Sequence, residues 1–131
     1  MDTRAEIEAL ATEFSKAFNN QDAVELATFY TEDCKMLPPN LPLVEGRAGV
    51  EAFCRQMIEA GCRSLDLETT DVLESGELIV EVGRYTMTIQ PPGGDPAQDV
   101  GKYLDVRRRQ SDGSLKIAID TFTSDLPAPP A

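Results

Sequence analysis

Hydrophobic positions fall into two regimes along the chain. In the first sixty residues they recur every three or four. Ile7, Leu10, Ala11, Phe14, Ala17 and Phe18 form one apolar stripe, the signature of an amphipathic helix. Asp2 or Thr3 can cap its start, and the polar run "NNQD" ends it. Asp22, with Glu25 three residues on, opens a second helix whose buried side takes Ala23, Leu26, Ala27 and Tyr30. "EDCKML" predicts a short strand ended by Pro38-Pro39, and "PPNLPLVEG" a loop. A third helix begins near Arg47, with Val50, Phe53, Cys54 and Met57 on its apolar side and Gly61 as its stop.

Beyond Gly61 the period falls to two. Leu65 and Leu67 alternate with polar residues, but Val72 lies on the opposite parity, so a bulge is expected near Thr69-Thr70. Ser75-Gly76 turns the chain into the long strand "LIVEVGRYTMTI", and "QPPGGDPAQ" leads out of it. No helix follows Gly93-Gly94, so that loop is not read as a phosphate cradle. Two last strands flank Asp112-Gly113, a hairpin dipeptide. A two-residue turn there pairs Ser111 with Ser114, Gln110 with Leu115, Arg107 with Ala118 and Asp105 with Asp120. The sum is an α+β domain: three helices over an antiparallel meander, a single unit over residues 1–131 with a disordered tail at 127–131.

Charge and composition narrow the function. The formal net charge is -11, which disfavours nucleic acid and anionic membrane surfaces as partners. Arg107-Arg108-Arg109 does not change this, because strand neighbours alternate faces. No apolar run reaches spanning length, and the acidic N-terminal stretch lacks a signal-peptide pattern. Cys34, Cys54 and Cys62 fit no zinc spacing and read as buried hydrophobes in a reduced, cytoplasmic protein. With no histidine, Ser-His-Asp and Cys-His mechanisms are excluded, as is a histidine-bound metal. No metal or other cofactor is implied. Acid–base chemistry would rest on Asp, Glu, Tyr, Lys or Cys.

The element order, with "FNNQD", "FYTEDCKMLPP", "VEGRAGVEAF" and above all "GKYLDVRRRQSDGSLKIAIDTFTSD", resembles the nuclear transport factor 2-like superfamily, and within it the SnoaL-like and ketosteroid-isomerase-like group. The resemblance runs from about Ala5 to Pro127. It implies a curved sheet wrapped into a cone around the helices, a pocket at the open end, and a homodimer through the outer sheet face. Against the isomerases, the oxyanion tyrosine position holds Phe14, the base position Pro38 and the second oxyanion acid position Asp105. The isomerase proton shuttle is therefore not implied.

Alternation divides the last hairpin into two sets. Leu104, Val106, Leu115, Ile117 and Ile119 form one; Tyr103, Asp105, Arg107, Ala118, Asp120 and Phe122 form the other. Alternation alone makes the apolar set the core. The resemblance reverses this, turning the second set into the cone and the apolar set to a dimer face. Asp105, Arg107 and Asp120 become the candidate catalytic set, with Arg107 forking to both acids. An Asp-Arg-Asp set of this kind is known in limonene-epoxide hydrolase-like members, although the order here differs. The alternative is a buried charge cluster that closes the cone. Phe14, Phe18, Tyr85, Met87, Tyr103 and Phe122 are the candidate ligand-binding residues. The expected function is binding of an apolar small molecule with a polar handle by a small dimer. The alternatives are cofactor-free carboxylate catalysis, as epoxide hydrolase, cyclase or isomerase, and an assembly module.

Overall fold

The computed structural model describes residues 2–127, so residues 128–131 of the expected disordered tail lie outside the described part. Three helices and six strands follow in the order α1 (Thr3–Asn19), α2 (Ala23–Ala27), β1 (Tyr30–Leu37), β2 (Val44–Glu45), α3 (Gly46–Glu59), β3 (Cys62–Ser75), β4 (Leu78–Ile89), β5 (Ala97–Arg109) and β6 (Leu115–Ser124). The caps are those the sequence announced. The Asp2 carboxylate accepts from Ala5 N at 2.7 Å and Asp22 from Glu25 N at 3.0 Å. Such caps satisfy backbone donors that a helix start leaves unpaired.

The strands form one curved, unclosed sheet in the order β2-β1-β6-β5-β4-β3, with α1 packed on β3 and α3 on β1 and β3. β3 to β6 are the antiparallel meander, and a register shift between Thr69 and Asp71 is the bulge that the slipped alternation predicted. The sheet is not wholly antiparallel, however. β1 returns to lie parallel beside β6, and β2, inside what reads as a loop, pairs with β1. Tyr30 opens β1 instead of closing α2.

The β5–β6 hairpin departs from the expected two-residue turn. Gly113 N donates to Gln110 O at 3.0 Å and Gln110 N to Ser114 O at 2.7 Å, and Gly113 alone in the turn takes a positive φ of 88°. This is a three-residue loop with glycine in the left-handed position. It shifts the pairing by one residue, so Arg107 meets Ile117 and Arg109 meets Leu115. A second irregularity, between Val106 and Arg107, restores the count and leaves Ala118 as the extra residue. Asp105 therefore still faces Asp120.

Between the two offsets the side-chain parity is inverted, which corrects the expected apolar face. Leu115 and Ile117 are buried inside, 3% and 1% exposed. Leu104, Val106 and Ile119 stay on the outer face, where Val80 and Val82 of β4 adjoin them. The main core joins Phe18, Leu26, Tyr30, Val50, Leu65 and Ile117, and a smaller one joins Ile7, Ile79 and Leu115.

Candidate functional site

Three carboxyl groups stand in one row across the inner face. Glu81 of β4 is opposite Asp105 of β5, which is opposite Asp120 of β6. All three are buried. Like charges placed directly opposite repel, and burial raises the cost of each. The neighbouring rows show how the fold accommodates them. One row is Ile79, Arg107 and Ile117; the other is Gly83, Tyr103 and Phe122.

Glu81 takes the guanidinium. Arg107 Nε and Nη2 both lie 3.1 Å from Glu81 Oε1, with the two side chains 2% and 0% exposed. The other carboxylate oxygen of Glu81 accepts from the Tyr103 hydroxyl at 2.6 Å and from Thr69 Oγ1 at 2.9 Å. Gly83 makes this possible, because a Cβ there would overlap the Tyr103 ring. The expected fork from Arg107 to Asp105 and Asp120 is thus corrected: the arginine is spent on Glu81, and no ion pair within 4.0 Å joins it to either aspartate.

Asp120 has a different partner. The Tyr30 hydroxyl donates to its Oδ2 at 2.7 Å. Burial raises the Asp120 carboxyl above the ordinary range, while hydrogen bonds from Asp105 and Tyr30 and the charge of Arg107 hold it back. Asp105, in the middle of the row, is pushed well above the ordinary range by burial, then by the charge of Asp120 and the hydrogen bond to it, with Arg107 opposing. Of the two facing carboxyls, Asp105 is the one pushed further toward its neutral form. Tyr30 is raised well above its ordinary value by burial and by Asp120, so it remains a donor.

These groups line a cavity of about 80 Å³, measured as the space open to the centres of water-sized molecules. One water needs roughly 10–15 Å³ on that measure, so a small organic molecule fits. All nine residues singled out from the sequence border it: Asp105, Arg107 and Asp120, with Phe14, Phe18, Tyr85, Met87, Tyr103 and Phe122. Aromatic edges shape the wall, Tyr85 against Phe122 at 6.2 Å and 90° and Phe14 against Tyr30 at 6.2 Å. The Tyr85 hydroxyl is turned to Asp99 Oδ2 at 2.8 Å. Cys54 also borders the cavity, its thiol pushed up to about 12 by burial and therefore inert. Pro38 is buried elsewhere.

Sequence reasoning missed Glu81 and Tyr30. Glu81 shares strand parity with Tyr85 and Met87, both already read as pocket residues, so one acid on that face was the available signal. Tyr30 carried no such signal, because the boundary between α2 and β1 was misplaced. Among the described residues, no group of three Asp, Glu, Cys or His side chains is placed to hold a metal ion. Nor is any described helix long and apolar enough to cross a membrane.

Comparison with known proteins agrees with this architecture. The family described as SnoaL-like domain matches residues 11–117. A ketosteroid isomerase-like protein from Erwinia carotovora atroseptica SCRI1043 superposes with a TM-score of 0.85 at 22% identity, over 94% of this chain and 96% of that one. ActVI-ORFA from Streptomyces coelicolor gives 0.79 at 19%, over 93% and 96%. A hexachlorocyclohexane dehydrochlorinase (LinA) Type2 gives 0.79 at 15%, over 98% and 89%. At such identities these likenesses establish the fold alone. No curated protein sequence matches the chain.

Proposed function

Because the chain belongs to the SnoaL-like domain family, we propose that it is a small-molecule-binding protein whose cavity takes an apolar compound by one polar end. The observation that carries this reading is the division of the cavity lining. Phe14, Phe53, Met57, Leu65 and Phe122 offer apolar surface, and the strongly polar groups are gathered at Asp105, Asp120, Arg107 and Tyr30. Enclosed sites of this composition hold ligands by burial and orient them by a few polar contacts. Calorimetric titration with 2-naphthol tests it. One saturable site per chain is expected, lost when Met57→Trp fills the cavity. Binding that survives the filled cavity would locate the ligand elsewhere.

A second reading, a cofactor-free enzyme, is favoured by one observation. Asp105 and Asp120 face each other on one apolar-lined pocket, with Asp105 pushed further toward its neutral form, an arrangement that can supply an acid and a base. Epoxide hydrolysis, cyclisation and elimination all use such a pair. Ketosteroid-type isomerisation does not fit, since Phe14 cannot donate a hydrogen bond and Pro38 cannot accept a proton. A turnover found with any such substrate should vanish in Asp105→Asn; activity that survives that change would remove the dyad from the mechanism.

The protein is further proposed to be a homodimer. Leu104 and Ile119, 37% and 40% exposed, adjoin Val80, Val82 and Val106 on the outer sheet face, an apolar patch that no helix among the described residues covers. Val106→Glu should split the dimer, and wild-type chain that sediments as a monomer at micromolar concentration would refute it. The three buried free thiols support a reducing, cytoplasmic setting.

A further inference from the structure

The side chains that border this cavity are rich in hydrogen-bond acceptors and offer a ligand no strong free donor outside the acids themselves. Three tyrosines line it, and each has a single hydroxyl proton. Tyr30 gives its proton to Asp120 at 2.7 Å, Tyr103 to Glu81 at 2.6 Å and Tyr85 to Asp99 at 2.8 Å. Arg107 is the one cationic side chain on the wall, and its Nε and Nη2 lie against Glu81 Oε1. Its unpartnered Nη1 has less than 1 Å² of accessible surface and is closed to a ligand. Acceptor capacity remains at Asp105 and Asp120. Asp120 receives one tyrosine hydroxyl, whereas a carboxylate has room for about four hydrogen bonds.

Charge points the same way. Glu81 matches Arg107, and no other cation stands on the wall to balance Asp105 and Asp120. Burial and the charge of its neighbour work against ionising Asp105 as well as Asp120. A ligand that brings a positive charge and several N–H donors offsets this cost, whereas an anion adds to it. The rest of the wall suits a cation too. Every aromatic side chain of the sequence except Phe29 borders the cavity, and aromatic faces attract ammonium groups. We propose that the cavity takes an apolar amine in its ammonium form, with the hydrocarbon body among the rings and the N–H groups against Asp120 and Asp105. A neutral alcohol of the same shape ranks second, because it brings one donor and no charge. A carboxylate ranks last.

This inference rests on the reading of the cavity as a ligand site, and four probes sharing one ring system separate the two. They are 2-naphthylmethylamine (ammonium), 2-naphthylmethanol (neutral donor), 2-acetylnaphthalene (acceptor only) and 2-naphthoate (anion). Each is titrated by calorimetry at neutral pH and physiological salt, which screens the acidic surface. The amine should bind about tenfold or more tighter than the alcohol, the margin of a charge-assisted hydrogen bond over a neutral one. Asp105→Asn combined with Asp120→Asn removes both charges and should bring the amine to the level of the alcohol. Met57→Trp, which fills the cavity, should abolish amine binding. The comparison of probes needs no variant and holds even if the double variant does not fold. Equal binding of the four probes, or tightest binding of the alcohol, ketone or carboxylate, overturns the inference and leaves the cavity a ligand site. An amine preference that persists in the double variant or in the filled cavity also overturns it, by assigning the amine to surface acids. If none of the four binds, the reading of the cavity as a ligand site fails with it.

Discussion

Replacing Glu81 by glutamine should be among the most damaging single changes in this protein. The side chain is fully buried and receives four donors: Arg107 Nε and Nη2, the Tyr103 hydroxyl and Thr69 Oγ1. Glutamine keeps the shape but removes the charge and presents an amide to groups that are all donors. The Arg107 guanidinium, 2% exposed, would then be a buried cation with no ionised partner in contact. Breaking a buried pair in this way costs about 3–5 kcal/mol. Glu81→Gln should therefore fall near the lower end of that range, in urea unfolding followed by far-ultraviolet dichroism at fixed chain concentration. Glu81→Leu combined with Arg107→Met should recover most of the loss, because a buried pair exchanged for apolar side chains of similar volume is often close to neutral. A loss below about 1 kcal/mol for Glu81→Gln would refute the reasoning. That outcome, with a large loss in Asp105→Asn instead, would mean that the arginine serves the aspartates as the sequence first suggested.

Two further predictions concern the aspartates. Asp105 has a folded-state pKa raised by burial and by Asp120, so the folded protein holds a proton that the unfolded chain releases near the ordinary value of 3.8. Stability should then fall as pH rises from that value through the raised one, at up to about 1.4 kcal/mol per pH unit. Asp105→Asn should gain on the wild type over that window and show no gain below it; parallel stability profiles would exclude the shared proton. Tyr30→Phe removes a hydrogen bond that favours the ionised form of Asp120 and should cost about 1.5–3 kcal/mol at pH values where Asp120 is ionised, shrinking in acid as Asp120 protonates. A loss independent of pH in the same unfolding assay would show that the hydroxyl does not serve the carboxylate.

The parts of this structure legible in the sequence were those set by local chemistry. Asp2, Asp22 and the slipped parity at Val72 announced two helix starts and a bulge, and each is where local rules place it. The facing of Asp105 and Asp120 was foreseen by a route that was only half right. The turn is one residue longer than a two-residue hairpin, and an extra residue at Ala118 compensates. The two offsets cancel at Asp120 but not between, which is why Leu115 and Ile117 proved to be core. The parallel pairing of β1 with β6 left no mark, since it joins segments far apart in the chain, Tyr30 with Ile117 and Leu37 with Thr121, and depends on how the whole sheet curls. Glu81 was invisible as a partner for the same reason. Its register with Asp105 depends on the β4–β5 pairing, across a loop whose length the sequence does not convert into alignment.

The central claim is that a small apolar molecule enters this cavity and lies against the Asp105–Asp120 pair. Three methionines, Met36, Met57 and Met87, border the cavity on β1, α3 and β4 and report on it directly. With 13C-methyl-labelled methionine, titration with 2-naphthol should shift all three methyl resonances along one saturation curve, and the Asp105 and Asp120 carboxyl carbons should move on the same curve. Methyl signals that stay in place while 2-naphthol binds, or that move without the carboxyl carbons, would contradict the account.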